Sequence, residues 1–169
     1  MSRRAELLGA CLVAALAGVT LTAAAEPQPS RGPVKITAER ADLERREVAL
    51  YRGNVRLVSA DLELTGDRLE LRQPAKGQFT ARLTGKPAHL KHPGAANAPP
   101  IAASANQIDY DTRSAVVQMT GAAQVERGSD LVVSESILYN VAARRISATG
   151  AGSGQVQITI RQPQDKPRQ

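Results

Sequence analysis

The feature that most constrains this chain is an alternation of apolar and polar residues that recurs about every 30 residues with a glycine in its middle. Ala49, Tyr51, Val55 and Leu57 alternate around Gly53, and Val117, Met119, Ala123 and Val125 alternate in the same way around Gly121. Weaker copies place Ala81 and Leu83 before Gly85, and Ile146 and Ala148 before Gly150, so the glycines stand 32, 36 and 29 residues apart. Short alternating pairs lie upstream: Ala41/Leu43, Leu69/Leu71, Ile108/Tyr110 and Ile137/Tyr139. A period of two describes a strand with one dry face. A glycine within such a strand marks a bulge or a sharp bend. Units of this length, two strands each, bury little alone and need a shared interior. The chain therefore reads as a curved, all-β stack. Its interior-facing candidates are Ala49, Tyr51, Val55, Leu57, Leu69, Leu71, Phe79, Leu83, Ile108, Tyr110, Val117, Met119, Val125, Ile137, Tyr139 and Ile146. A single bulge inverts the parity of everything beyond it on that strand.

One stretch argues the other way. Residues 38–50 (AERADLERREVAL) are rich in helix formers. The large apolar residues there are Ile36, Leu43 and Leu50, one in seven, which is too narrow a stripe to dock a helix. The repeat assigns the segment to strand, turn and strand. Residues 93–100 (PGAANAPP) form a loop, since they are too rich in proline and glycine for either regular element.

The ends carry other signals. Arg3 and Arg4 precede an apolar run from Leu7 to Leu21, and Ala23-Ala24-Ala25 offers small residues at a cleavage site. Residues 1–25 thus read as a secretory signal cleaved after Ala25, since the run is short for a bilayer span. Cys11 follows Leu8-Gly9-Ala10 in a lipoprotein-like box, but a cut there would strand most of the apolar run in the mature chain. Residues 26–33 (EPQPSRGP) are a flexible lead-in and 162–169 (QPQDKPRQ) a flexible tail, which leaves 34–161 as the folded body.

Composition removes several function classes. The single cysteine, Cys11, lies in the cleaved segment, so a disulfide scaffold is excluded. His89 and His92 lack neighbouring carboxylates or thiols, and no metal or cofactor is expected; they read as polar residues at a strand end. Aromatic residues make up 2% of the chain, too few for a platform that stacks nucleic-acid bases. The net charge of +6 is spread along the chain, and no nucleic-acid partner is expected of an exported protein; anionic headgroups and phosphorylated glycolipids are more available to it. Ser153 in Gly150–Gly154 is followed by an alternating strand, Gln155–Ile160, and not by the helix a phosphate loop requires. Asp109 and Asp111 alternate with Ile108 and Tyr110, which puts both carboxylates on a solvated face. No nucleophile elbow of the G-x-S-x-G type occurs, so the chain is not expected to be an enzyme.

The repeated unit resembles the OstA-like proteins of lipopolysaccharide export. The resemblance rests on Ala38–Leu43 with Tyr51–Val55, on Ala105–Asp111 with Met119–Gly121, and on Gly85-Lys86-Pro87. It covers about residues 34–160 and is nearest to the periplasmic bridge (LptA-type) branch. It implies an antiparallel β-jellyroll folded as a partly open V, without enzymatic activity. Lipid A acyl chains would lie in the apolar interior, with the sugar and phosphate head outside. The implied partners are lipopolysaccharide, the inner-membrane export complex, the outer-membrane translocon and further copies joined head to tail. Docking would use the edge strands around Val34, Lys35 and Ile36 and around Val156, Ile158 and Ile160. Two other readings stay open: an inner-membrane-tethered member of the same pathway, and a structural all-β envelope protein with a packed, ligand-free interior. The scarcity of large aromatic side chains points to an underfilled interior.

Overall fold

The computed structural model describes residues 33–44, 48–59, 62–75, 77–95, 97–150 and 154–160. The signal segment, nearly all of the lead-in, the tail and Ser153 lie outside them. The elements are β1 (Lys35–Thr37), β2 (Arg40–Glu44), β3 (Val48–Val58), β4 (Glu63–Ala75), β5 (Gln78–His92), β6 (Ile101–Asp111), β7 (Val116–Arg127), β8 (Asp130–Asn140), β9 (Arg145–Thr149) and β10 (Gln157–Thr159). No helix among the described residues is long and apolar enough to cross a membrane. The helix formers of residues 38–50 are overridden: β2 pairs with β3 from Arg40↔Arg52 to Glu44↔Val48. Pairing to a neighbour outweighs local propensity when the segment's apolar residues suit a strand face.

All pairings are antiparallel, and the strands follow the order β1-β3-β4-β5-β6-β7-β8-β10. β2 continues the β1 edge along β3, and β9 accompanies β10 along β8. Each edge is therefore made of two short segments, where the sequence pointed only to the outermost pieces around residues 34–36 and 156–160.

The division has one cause. Register shifts fall at Arg52/Val55, Thr65/Arg68, Thr84/Ala88, Ser104/Gln107 and Thr120/Ala123, so irregularities line up across β3 to β8. Gly53–Asn54 and Gly121–Ala122 each place two successive residues in the left-handed region, with φ of 77° and 43°, and of 82° and 49°. Glycine suits the first of these because it has no Cβ to clash. At Gly121 the missing side chain also leaves room for Asn106, whose Nδ2 lies 2.8 Å from where a Cβ would stand. This line of bulges is a crease.

The sheet folds over at that crease. His92 lies beyond it on β5, and Tyr139 lies on the opposite side of it on β8. In a flat sheet the two would be about 30 Å apart along the strand direction, at about 3.3 Å per residue. Instead His92 Nδ1 is 2.5 Å from Tyr139 Oη. One arm carries β1, β10 and the Leu57–Leu64–Leu90–Ala103–Val125 row; the other carries β2, β9 and the Leu69–Leu83–Ile108–Met119–Ile137 row. Both rows belong to a single apolar cluster between the arms. The architecture is an all-β antiparallel sheet folded as an open-edged V.

Candidate functional site

The inner face of the V is laid out in transverse rows, because directly paired residues share a face. In the arm with β2, one row runs Leu43–Ala49–Leu71–Ala81–Tyr110–Val117–Tyr139–Ile146. In the arm with β1, a row runs Ile36–Leu57–Leu64–Leu90–Ala103–Val125–Val132–Ile158. Their middles are closed to solvent and their ends are not. Leu43 is 80% exposed and Ile158 61% exposed. Val34, Val156 and Ile160, large apolar residues beside the two edges, are exposed as well. An apolar floor thus runs from one free edge to the other and emerges at both.

The residues read from alternation as interior-facing lie on this floor. Val55, Leu57, Leu69, Leu83, Ile108, Tyr110, Val117, Met119, Val125, Ile137 and Tyr139 are buried. Tyr51, Leu71, Phe79 and Ile146 are half-buried against them, and Ala49 is half-buried between Leu43 and Leu71. Phe79 meets Tyr110 edge-on, with ring centroids 5.8 Å apart. The floor also holds residues outside that set: Leu62, Leu64, Ala88, Leu90, Ile101, Ala103 and Ala105. On β4, β5 and β6 the crease changes the parity, so Leu69, Leu83 and Ile108 are odd-numbered or even-numbered opposite to Leu64, Ala88 and Ala105 beyond it. Alternation counted from either end fails past that point.

The middle of the V is filled, in contrast to the underfilled interior expected from the side-chain mix: Leu57, Leu64, Leu69, Leu83, Ile108 and Met119 are all 0% exposed. Small residues such as Ala88, Ala103, Ala105 and Ala123 let the arms close on the larger ones, Tyr110 and Tyr139 among them. Open space lies at the tip of one arm, where a cavity of about 550 Å³ is bordered by Val58, Leu62, Glu63, Lys91, His92 and Ile101.

A polar latch spans the arms beside that cavity. His92 stands at the end of β5, where the sequence places it, but it is 6% exposed and faces inward. The guanidinium of Arg144 lies 3.1 Å from its Nε2 and donates at 2.8 Å to the carbonyl oxygen of Pro93. A guanidinium only donates, so Nε2 accepts and Nδ1–H donates to Tyr139 Oη. Burial pushes the Tyr139 phenol above its ordinary value, while Arg144 and Arg127 pull it down. The parity change across Gly85–Pro87 was the one signal that could have placed His92 inside. Tyr139→Phe removes the phenol oxygen and with it the buried hydrogen bond to the His92 ring. It should cost about 1–2 kcal/mol in urea unfolding, whereas exposed His89 replaced by Ala should change little.

The outer face is charged, and several of its charges are paired. Arg56 holds Glu63 through two bonds of 2.9 and 3.0 Å, and the hydrogen bond, more than the charge alone, keeps the Glu63 carboxyl below its ordinary range. Arg82 Nε donates to Asp109 at 2.7 Å, and Gln107 donates to the same carboxylate at 2.6 Å. Asp111 accepts from the amides of Arg113 and Ser114 in the turn that follows. Both aspartates thus serve strand and turn. Among the described residues, no group of three or more His, Cys, Asp or Glu side chains is placed to hold a metal ion.

Residues 35–145 match the family model described as LptA/(LptD N-terminal domain) LPS transport protein. The chain is 28% identical over 136 residues to the lipopolysaccharide export system protein LptH of Pseudomonas aeruginosa, covering 79% of this chain and 78% of that protein. Its structure is similar to the crystal structure of LptH, the LptA homologous periplasmic component of the lipopolysaccharide transport device of the same organism. The TM-score is 0.74 at 25% identity, over 80% of this chain and 100% of that one. The family match spans β1 through the start of β9, the strands that build both arms, so the chain belongs to the LptA/LptD N-terminal domain family of lipopolysaccharide transport proteins and is a transport protein, not an enzyme.

Proposed function

We propose that this chain is a periplasmic carrier that holds the acyl chains of lipopolysaccharide against the inner face of the V and hands them along an edge-to-edge bridge. The observation that carries the reading is the apolar floor that emerges at both free edges, at Leu43 and at Ile158. Alkyl chains entering there meet no polar barrier on the rows leading inward. Each methylene removed from water contributes about 0.8 kcal/mol, which offsets parting of the arms where their apolar faces touch. Export with cleavage after Ala25, and a folded body of residues 34–161, complete the proposal. The edges suit strand addition: β1 with β2 and β9 with β10 are short and bonded on one side. Their partners would be the inner-membrane export complex, the outer-membrane translocon and further copies of this chain.

The test is site-specific photocrosslinking in cells. Probes at Tyr51 and Leu71, half-buried on the inner face, should form lipopolysaccharide adducts, and probes at outward-facing Gln118 and Arg82 should not. A folded, exported protein with no adduct at any site would refute the carrier and favour the ligand-free structural reading, to which the filled middle of the V would then belong. A mature N-terminus retaining residues 1–25 would point to the membrane-tethered member of the pathway.

A further inference from the structure

Three arginines far apart in sequence are brought into one row on the outer face. Arg40 on β2 pairs directly with Arg52 on β3, and Arg52 pairs with Arg68 on β4. Paired residues point the same way, with Cβ atoms about 5 Å apart, and like charges so opposed repel. Among the described residues only Arg52 has a carboxylate partner in the row, Asp42 Oδ2 at 2.7 Å. Glu39, the nearest acid before Arg40, is engaged by the Asn54 amide. Asp67 precedes Arg68 at the crease, and neither Arg40 nor Arg68 makes an ion pair among the described residues. A row of guanidiniums kept together against their repulsion is suited to an anion with several oxygens, because each planar fork can donate two parallel bonds to phosphate.

The position of the row names the source of the phosphate. Arg40 lies on the edge strand β2, and the opposite face of that strand carries Ala41 and Leu43, where the apolar floor emerges. Arg40 and Leu43 are about 10 Å apart along the strand. A molecule with alkyl chains under Leu43 and an anionic head would therefore straddle β2 as a lip, with its head on the row. We infer that Arg40, Arg52 and Arg68 form a phosphate subsite for the phosphorylated headgroup of a lipid whose acyl chains lie on the inner face. This rests on the carrier reading above.

The experiment titrates the full-length exported protein with bis-phosphorylated lipid A and with the same lipid stripped of phosphate. The variants are R40Q/R68Q, which spares the Arg52–Asp42 pair, and K86Q/R113Q, which removes the same charge at exposed positions elsewhere. R40Q/R68Q should weaken the phosphorylated lipid at least tenfold and leave the stripped lipid within twofold, while K86Q/R113Q should leave both within twofold. Equal loss for the two lipids, no loss for either, or equal loss in K86Q/R113Q would overturn the subsite and leave the carrier standing. Wild-type protein that binds neither lipid would overturn the carrier. Pyrophosphate then decides the row by itself: a shift of the Arg52 Nε–Hε resonance in the wild type that R40Q/R68Q abolishes would keep the row as a site for a soluble phosphate, and no shift in the wild type would overturn it.

Discussion

Ile108→Ala is expected to lower the stability of this protein by about 2–5 kcal/mol, the range for truncating a large aliphatic residue in a rigid core. Ile108 is 0% exposed and sits mid-row between Leu83 and Met119, which are equally buried. It lies beside Leu83 and Met119 in its own row and faces the other arm across the V, so the lost methyl and methylene groups leave space that the two arms would have to move to fill. Backbone hydrogen bonds hold each arm flat, and collapse around the cavity is limited. A domain of this size is stable by only about 5–15 kcal/mol, so the loss is a large share of the total. Urea unfolding followed by circular dichroism measures it. Ile108→Val should cost no more than about 1.5 kcal/mol by the same reasoning. A loss below about 1 kcal/mol for the alanine variant would mean that the arms do not press on one another at this row.

Gly85→Ala should cost about 3 kcal/mol although it adds one methyl group, because the methyl has nowhere to go. A Cβ at residue 85 would stand 2.8 Å from the Ala88 nitrogen and 2.9 Å from the carbonyl carbon and oxygen of Pro87. These are backbone atoms, so no side chain can swing away to make room. Relief would require moving residues 87–88, and Ala88 is fully buried and paired with Ala105 on the far side of the crease. The substitution therefore acts on the angle between the arms. Lys86→Ala, one residue along and exposed, serves as the control and should shift the urea midpoint little. If Gly85→Ala unfolds at the wild-type midpoint, the crease is more pliable than the close backbone approach implies. Combined with the lipid titration, the same variant separates two roles of the crease: a stable protein with altered lipid capture would show that arm geometry, and not only floor chemistry, governs loading.

The two substitutions also separate what is local from what is not. Ile108 could be placed on the dry face from alternation with Tyr110 alone. Gly85 could be recognised as an interruption of a strand, but not as the point where one backbone turn presses against the next. His92 shows the limit more sharply. It follows Leu90 in step, yet Gly85–Pro87 read locally marks only an interruption and does not say that both residues turn inward beyond it. The arginine row is a further case, since Arg40, Arg52 and Arg68 become neighbours only through the registers of two strand pairs.

By itself, then, the sequence determined the elements and their dry sides: an all-β chain, strands bulged or bent at glycines about 30 residues apart, a proline-rich loop near residue 95, and a floor from Ala49 to Ile146. These follow from local physics, because strand periodicity and glycine conformation are written residue by residue. Only the tertiary structure decided how the bulges align into one crease, how the arms close until the middle is filled, and how the latch joins Arg144 to His92 and Tyr139. Those depend on register, and register is a relation between strands. It is set by the summed burial of whole rows, which no single segment encodes.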